Sequence, residues 1–424
     1  MGITGKALRR AKPPFVALDL FCGCGGFSFG FQQAGIQIAA GNDIWEIAGK
    51  TFKKNHSDAD FICGDIRSQG VRSTLIEVAE KKGCNVIIGG PPCQAYSMAG
   101  ARDVDDERGR LFESYVSLVE EIKPVFFVME NVSGILTMRH DKNELSATQR
   151  VKVRALKSLE KRRADLMLLR KKAKNTNRFS FSRKDQAELD LVNEELVVQR
   201  QHCIDCRELV TDKIIRAFLS IGYKIEFRLL NAADFGAPQK RERVIFIGTS
   251  YDCDIDFPKP TYGDPELPLG NYKKPWKTVR QAICDLENAK EGELQAHWFT
   301  DHSPEFVRRI RDTRVGTGIY GGYSDAWYKN PPDEPSRTVK ENHGGVLVHY
   351  SHDRVMTPRE LARLQTFPDS FFFEGSKSDV LVQIGNAVPP VLGKAIGSHL
   401  CGLSKGVKKL SNIYSLQKRS LVRP

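Results

Sequence analysis

The fold is decided by the stretch Phe15-Val16-Ala17-Leu18-Asp19-Leu20-Phe21-Cys22-Gly23-Cys24-Gly25-Gly26. A short apolar run that ends in clustered glycines is typical of the first strand and turn of a doubly wound α/β domain, where the backbone must approach a ligand closely. It is not the dinucleotide fingerprint, because the third glycine position, counted from Gly23, is Ser28. The loop alone is equally compatible with a nicotinamide cofactor and with S-adenosylmethionine.

The pattern continues downstream with apolar runs separated by helical stretches. Strands are predicted at 36–40, 85–88 and 125–128, with an amphipathic helix at 111–121 and two later strands at 225–230 and 244–248. Continuous apolar strands alternating with helices predict a parallel sheet that is covered on both faces. The predicted fold class is therefore a Rossmann-like α/β sheet domain.

Composition shifts predict the domain organisation. Residues 13–250 are assigned to the sheet domain, 251–356 to a smaller loop-rich domain, 357–403 to a return into the sheet domain and 404–424 to a basic tail. Within the first domain, residues 139–216 read as an inserted helical hairpin, with apolar residues near heptad spacing at 155, 159, 166, 169, 173, 189, 192, 196 and 203. Twelve basic and two acidic residues lie between Arg150 and Arg178. Both a solvated helix face and a phosphate-contacting arm remain open for this segment.

Charge and cysteine usage narrow the class of protein. The net charge of +12 favours a polyanionic partner, because Lys and Arg release counterions from phosphates. Ten cysteines without framework spacing favour a reducing compartment, and neither a secretory signal nor an apolar run long enough for a bilayer is seen. We therefore expect a cytoplasmic protein without membrane contact. His202, Cys203 and Cys206 lack a second ligand pair, so no metal site is predicted.

Reactive side chains follow the predicted strand ends. Cys93 comes directly after Pro91-Pro92, and Glu130 follows the next strand. Free cysteines are usually buried small hydrophobes, but ligands bind at the carboxyl edge of such sheets, and two prolines fix the backbone there. Arg241 and Arg243 alternate on one face of a later strand and need an acidic partner, for which Glu130 is the candidate. The glycines of the basic segment 95–110 suit a loop that closes over a substrate.

Six motifs in order resemble the C5-cytosine DNA methyltransferases. They are DLFCGCGG (19–26), GGPPCQAYS (89–97), ENV (130–132), QKRERV (239–244), TPRELARLQ with FPD (357–365, 367–369) and QIGNAVPP (383–390). The resemblance covers residues 15–132 and 222–400, and it implies that 13–250 is the catalytic cofactor-binding domain and 251–356 the target-recognition domain. It leaves the insert without a family role.

This resemblance implies a mechanism and a set of site residues. A Cys93 thiolate would add to C6 of a flipped cytosine in duplex DNA so that C5 accepts a methyl group, with Glu130 stabilising N3. The implied catalytic residues are Cys93, Gln94, Glu130, Arg241 and Arg243. The residues implied to bind S-adenosylmethionine are Asp19, Phe21, Gly23, Gly25, Gly26, Asp43, Ile44, Asp65, Ile66, Pro92, Leu111, Asn386 and Val388. The residues implied to bind DNA are Ser97, Arg102 and Gln239. Asp43 and Ile44 depart from the family, where Glu and an aromatic residue are common.

Other functions share some of these motifs. A tRNA cytosine-5 methyltransferase has the same Cys and Glu chemistry, but the region 251–350 favours a reader of duplex DNA. A catalytically silent DNA-binding subunit would leave the presence of Cys93, Glu130, Arg241 and Arg243 unexplained. A nicotinamide dehydrogenase would account for the glycine loop but not for the other motifs. We expect a monomeric modification enzyme of a restriction-modification system, whose endonuclease need not contact it.

Overall fold

The computed structural model describes residues 15–92, 111–142, 144–175, 180–266, 274–320, 327–341 and 347–407. Four predicted site residues, Cys93, Gln94, Ser97 and Arg102, lie outside these ranges. The chain divides into two compact units. The first comprises Met1–Pro91, Ser114–Glu130 and Gly222–Pro424, and the second comprises Pro92–Glu113 and Asn131–Ile221.

The elements are numbered in chain order. The strands are β1 (Val16–Leu20), β2 (Gln37–Asp43), β3 (Asp60–Cys63), β4 (Val86–Gly89), β5 (Phe126–Val132), β6 (Arg139–Asp141), β7 (Arg207–Leu209), β8 (Lys224–Asn231), β9 (Glu242–Thr249), β10 (Tyr262–Gly263), β11 (Lys274–Pro275), β12 (Tyr328–Lys329) and β13 (Leu347–Val348). The helices are α1 (Gly26–Gln33), α2 (Glu46–Asn55), α3 (Gln69–Lys82), α4 (Leu111–Ile122), α5 (Ala147–Asn175), α6 (Arg183–His202), α7 (Val210–Ser220), α8 (Val279–Ile283), α9 (Pro304–Asp312), α10 (Pro358–Leu364), α11 (Lys377–Asn386) and α12 (Pro390–Val407).

A seven-stranded sheet in the order β3-β2-β1-β4-β5-β9-β8 forms the core of the first unit. The pairs β1–β2, β1–β4, β2–β3 and β4–β5 are parallel, which confirms the predicted sheet for the first five strands. The pair β8–β9 is antiparallel, contrary to an all-parallel sheet. Only residues 232–241 join these two strands, and a parallel crossover needs a dozen residues or more.

The C-terminal helix α12 packs against α1, the helix that follows the first strand. A Cβ added at Gly30 of α1 would lie 2.3 Å from the Pro390 carbonyl oxygen and 2.7 Å from the Lys394 amide nitrogen. α1 and α12 therefore pack with their backbones in close contact. The stretch Lys377–Leu403 is apolar enough to pass a length-and-composition test for a membrane span, but 67% of its tested window is buried inside the protein, as in a core helix.

The second unit contains a helical hairpin on a two-stranded base. β6 and β7 pair antiparallel, and α5 and α6 pack on one another above them. The predicted positions Leu189, Val192 and Leu196 on α6, and Cys203 directly after it, are all buried. On α5 the predicted face is wrong in part: Val153, Leu156 and Leu166 are buried, while Ala155 is exposed. A heptad count carried from 155 misses this face because a straight helix drifts against the 3.5-residue repeat.

Candidate active site

The carboxyl ends of four neighbouring strands lie in one row. Leu20 of β1 is opposite Asn42 of β2 on one side and Gly89 of β4 on the other, and Gly89 is opposite Met129 of β5. The residues that follow, Phe21, Asp43, Gly90 and Glu130, therefore stand side by side along this edge. These are the positions at which ligands bind in open α/β sheets.

Glu130 and Arg243 form an ion pair at this edge. The Nε atom of Arg243 lies 2.6 Å from Oε1 of Glu130, and each side chain is only 13% exposed. The second oxygen, Oε2, would lie 3.0 Å from a Cβ placed on Gly90. Gly90 therefore leaves room for this carboxylate oxygen three residues before Cys93.

Arg241 does not join that pair, contrary to the prediction that both arginines face Glu130. Its guanidinium is buried and donates hydrogen bonds to the carbonyl oxygens of Val339 (2.7 Å), Gly385 (2.9 Å) and Ala387 (3.0 Å). Burial lowers the pKa of Arg241 well below its usual range. Arg241 lies just before β9, and its planar fork holds the 385–387 segment in place.

Gln239, which the resemblance places among the DNA-contacting residues, is held by contacts inside the fold. Its side chain is fully buried, and its amide nitrogen donates to the Leu364 carbonyl (2.8 Å) and to Oε1 of Gln365 (2.6 Å). Its amide oxygen accepts from the backbone N–H of Val339 (3.1 Å). With donors and acceptor engaged inside the fold, Gln239 has no exposed group for a nucleic acid.

The glycine loop is held by Asp43. The backbone N–H groups of Gly23 (2.9 Å) and Trp45 (3.0 Å) donate to its two carboxylate oxygens, and burial raises its pKa. Next to it Ile44 is 71% exposed, an unusual position for a large aliphatic side chain. Phe21 adopts a left-handed backbone conformation with φ 58°, which is costly for a bulky residue and is typical of ligand sites.

Two further contacts support the loop from beneath. Nε2 of the buried His56 lies 3.1 Å from the Gly25 carbonyl oxygen, and a Cβ on Gly25 would come within 2.4 Å of that ring nitrogen. Asp19 is buried and accepts a 2.6 Å hydrogen bond from the hydroxyl of Ser28, while burial raises its pKa to about 7. Asp19 thus contacts the start of α1, which makes it a positioning residue for the loop.

The last sequence motif closes on the same loop. A Cβ on Gly26 would lie 2.7 Å from the Val388 carbonyl oxygen and 2.9 Å from the ring of Phe367. Val388 is buried at this contact, and Asn386, two residues earlier, is exposed. Residues more than 350 positions apart in sequence thus form one wall.

The remaining predicted cofactor residues are Asp65, Ile66, Pro92 and Leu111. Both carboxylate oxygens of Asp65 accept hydrogen bonds from Arg67, which lowers the pKa of Asp65, and Ile66 is buried beside it. Pro92 and Leu111 belong to the second unit.

The residues at the sheet edge fit an adenosine moiety. A partly exposed aromatic ring, an exposed aliphatic side chain and a carboxylate with free lone pairs are the groups that cover an adenine and bind a ribose diol. No cluster of three or more His, Cys, Asp or Glu suited to a metal occurs among the described residues.

Comparison with known proteins decides the family. The family model described as C-5 cytosine-specific DNA methylase matches residues 15–159 and 205–401. The chain belongs to this family. It is 31% identical over 387 residues to a type II methyltransferase of Neisseria gonorrhoeae, covering 88% of this chain and 83% of the relative. It is 29% identical to one of Haemophilus parahaemolyticus, covering 89% and 84%.

A solved structure gives the same fold. It is described as a DNA modification methyltransferase encoded within an Escherichia coli prophage, and it matches with a TM-score of 0.62 at 23% identity, covering 92% of this chain and 99% of that one. The predicted family, the Rossmann-like methyltransferase fold and the enzyme class, a DNA cytosine-5 methyltransferase, are thereby confirmed. Membership of the methylase family also implies use of S-adenosylmethionine.

Sequence reasoning missed two supports of the methylase site. Asn42 donates from its side chain to the carbonyl oxygens of Ile62 (2.8 Å) and Gly64 (3.0 Å), and so joins the ends of β2 and β3. His56 lies more than 30 residues from the glycine it supports. A lone histidine or asparagine carries no spacing signal, so only the folded chain reveals these contacts.

Proposed function

We propose that this methylase transfers a methyl group to C5 of a cytosine in a specific duplex DNA sequence, through a covalent bond between Cys93 and C6. The observation that carries the proposal is the Glu130–Arg243 ion pair next to Gly90. It provides a partly shielded carboxylate, with one oxygen held by Arg243 and the other next to Gly90, three residues before Cys93 in the sequence.

The carboxylate has a defined task in this chemistry. Addition of the Cys93 Sγ to C6 builds negative charge on the ring, which is neutralised when Glu130, in its protonated form, gives its proton to N3 and remains as a carboxylate paired with Arg243. C5 becomes enamine-like and takes the methyl group from the sulfonium centre of the donor, which leaves as a neutral thioether. Loss of the C5 proton to a base then lets the Sγ–C6 bond break and releases the thiolate, while N3 returns its proton to Glu130. Arg243 fixes the rotamer of Glu130, so we assign it a positioning role.

The methyl donor fits the wall built by the glycine loop. S-adenosylmethionine supplies a methyl group on a sulfonium centre. Asp43 has lone pairs left for the ribose hydroxyls after accepting two backbone N–H groups, and Phe21 and Ile44 provide apolar cover for the adenine. Because C6 is inaccessible inside a duplex, the target base must be flipped out, and we assign this task to the loop 94–110 with Ser97 and Arg102.

The central test is Cys93→Ala. We expect methyl transfer to DNA to be abolished while S-adenosylmethionine binding by calorimetric titration stays within about twofold of the wild type, because the cysteine bonds to the base and not to the donor. Cys84→Ala, a change of another free cysteine outside the motifs, is the matched control. Retained turnover of the Cys93 variant would remove the nucleophile assignment.

The substrate is tested by the product. Bisulfite sequencing of DNA from bacterial cells that express the protein should reveal one methylated sequence context, in keeping with a modification enzyme of a restriction-modification system acting in the cytoplasm. Methylation of purified tRNA, with none on DNA, would instead favour a tRNA methyltransferase. Binding to DNA without any methylation would favour the silent subunit.

A further inference from the structure

The strand β8 forms one edge of the seven-stranded sheet. It pairs with β9 over its whole length, from Lys224 opposite Thr249 to Asn231 opposite Glu242, and it is last in the strand order. In the part of the chain that the structure describes, no strand and no other backbone group pairs with its outer side. Half of its backbone N–H and C=O groups therefore face outward, which makes β8 a template for a further strand.

The charges on β8 are not all neutralised within the chain. Lys224, Glu226 and Arg228 are exposed and alternate along one face of the strand. Lys224 forms an ion pair with Asp252, whereas the guanidinium of Arg228 lies over the ring of Phe257, 4.9 Å from its centroid. Among the described residues, Glu226 has no basic partner and Arg228 no acidic one. Charges often protect an edge strand from pairing, but alternating signs repel only certain registers.

One register of β8 with a second copy of itself matches these charges. In antiparallel pairing about a twofold axis at Phe227, Glu226 is opposite Arg228 of the second copy, and symmetry forms the reciprocal pair. An axis at Glu226 or at Arg228 would place like charges directly opposite, which destabilises a sheet. An axis at Ile225 would pair Glu226 with Lys224, which is already neutralised, and would shorten the overlap.

The opposite face of β8 is also complementary to itself in this register. Ile225, Phe227 and Leu229 alternate along it, and Leu229 is 40% exposed. The ring of Phe227 packs on that of Phe246 in β9, with 5.2 Å between centroids. In the paired strands Phe227 is opposite its own copy, and Ile225 is opposite Leu229. The apolar row of the sheet thus continues across the edge, and aromatic and β-branched pairs of this kind stabilise sheets.

We propose that this methylase forms a homodimer in which the β8 strands of two copies pair antiparallel about Phe227. The contact is self-complementary and uses the β8 edge of both copies, so it closes at two chains. It replaces the monomer expected from the sequence. It does not depend on the proposed function, because β8 contains none of the residues assigned to the base or to the methyl donor. A contact of one strand pair is small, so the dimer dissociates in the micromolar range.

A charge exchange across the axis tests the pairing. Sedimentation velocity of the full chain, from about 1 to 200 μM, measures the Kd of the dimer. Glu226→Arg and Arg228→Glu each turn both ion pairs into like-charge pairs, so each should raise this Kd by about tenfold or more. The double variant Glu226→Arg/Arg228→Glu places opposite charges across the axis again and should return the Kd to within about threefold of the wild type.

A matched control separates the pairing from net charge. Glu80→Arg, at an exposed position of α3, changes the net charge as Glu226→Arg does and should leave the Kd unaltered. A wild type that stays monomeric at the highest concentration overturns the proposal. The same holds if the double variant does not regain the affinity that the single variants lose, or if Glu80→Arg loses as much.

The position of the axis has its own test. Directly opposite residues in antiparallel strands have Cα atoms about 4.5–5.5 Å apart, within the range of a disulfide. Phe227→Cys should therefore form an intermolecular disulfide with oxidised glutathione, seen on a non-reducing gel. Leu229→Cys is opposite Ile225 and should cross-link no more than the wild type. Equal cross-linking of the two variants would refute the register.

Discussion

Arg241 and Arg243 are two residues apart, yet the structure separates their roles, and a pair of methionine substitutions tests this. Arg241→Met removes three hydrogen bonds from a buried guanidinium, at 2.7, 2.9 and 3.0 Å, to the backbone at Val339, Gly385 and Ala387. Hydrogen bonds to charged groups contribute about 1.5–3 kcal/mol each. Relief from burying the charge offsets several kcal/mol of that total, which leaves a net loss of roughly 3–5 kcal/mol in the free energy of unfolding.

Arg243→Met should behave differently. Its ion pair with Glu130 is partly solvated, so we expect a loss of only about 1–2 kcal/mol in stability. The kcat should fall by about 10²-fold, because Glu130 loses the partner that fixes it. Urea denaturation and single-turnover methyl transfer, measured on both variants, distinguish the two. The reasoning is refuted if Arg241→Met unfolds at the wild-type urea concentration but has lost turnover, or if Arg243→Met is the less stable of the two.

Three further outcomes follow from the site. Burial lowers the pKa of His56 from 6.5 to about 4, so between these values the unfolded chain binds a proton that the folded chain does not. The free energy of unfolding therefore falls as the pH drops through this window. Measured by urea denaturation, the fall from pH 7 to pH 4.5 should be about 2 kcal/mol larger in the wild type than in His56→Gln. Gly25→Ala, with φ 89° and a Cβ 2.4 Å from the His56 ring, should weaken S-adenosylmethionine binding by at least about tenfold. Gly23→Ala, with φ 52° and open space around its Cβ, should cost only about 1 kcal/mol of stability. Equal S-adenosylmethionine affinities for the two variants in calorimetric titration would contradict the role of His56. Gly90→Ala places a Cβ 3.0 Å from Oε2 of Glu130 and should lower kcat by about tenfold without a change in donor affinity; a wild-type rate would mean that this oxygen takes no part.

The sheet was predictable because its signals are local. Apolar runs such as 85–88 and 125–128 coincide with β4 and β5 to within a few residues. The direction of β9 was not anticipated, although the short link after β8 was visible in the sequence. The buried face of α5 was also misjudged, since helix packing depends on how α6 lies against it and not on spacing alone.

The site was predictable only where residue type and strand ends coincide. Glu130, Arg243 and Asp43 lie where the pattern places them. Arg241 and Gln239 share the predicted two-residue alternation with Arg243 but lie before β9, and their partners are backbone carbonyls near residues 339, 364 and 385, about a hundred or more positions later in the chain. Two-residue periodicity indicates which face of a strand a side chain occupies, but it does not identify the distant residues that contact that side chain.

The two-stranded base of the insert has a consequence for how such a chain changes over time. Asp141 and Arg207 are paired partners across β6 and β7, so the polypeptide leaves and re-enters the fold at neighbouring points. The residues between them form an insertion whose two ends are adjacent. During evolution such an insertion can be lengthened, shortened or replaced without changing the path of the rest of the backbone. In protein design a short turn can replace it in the same way.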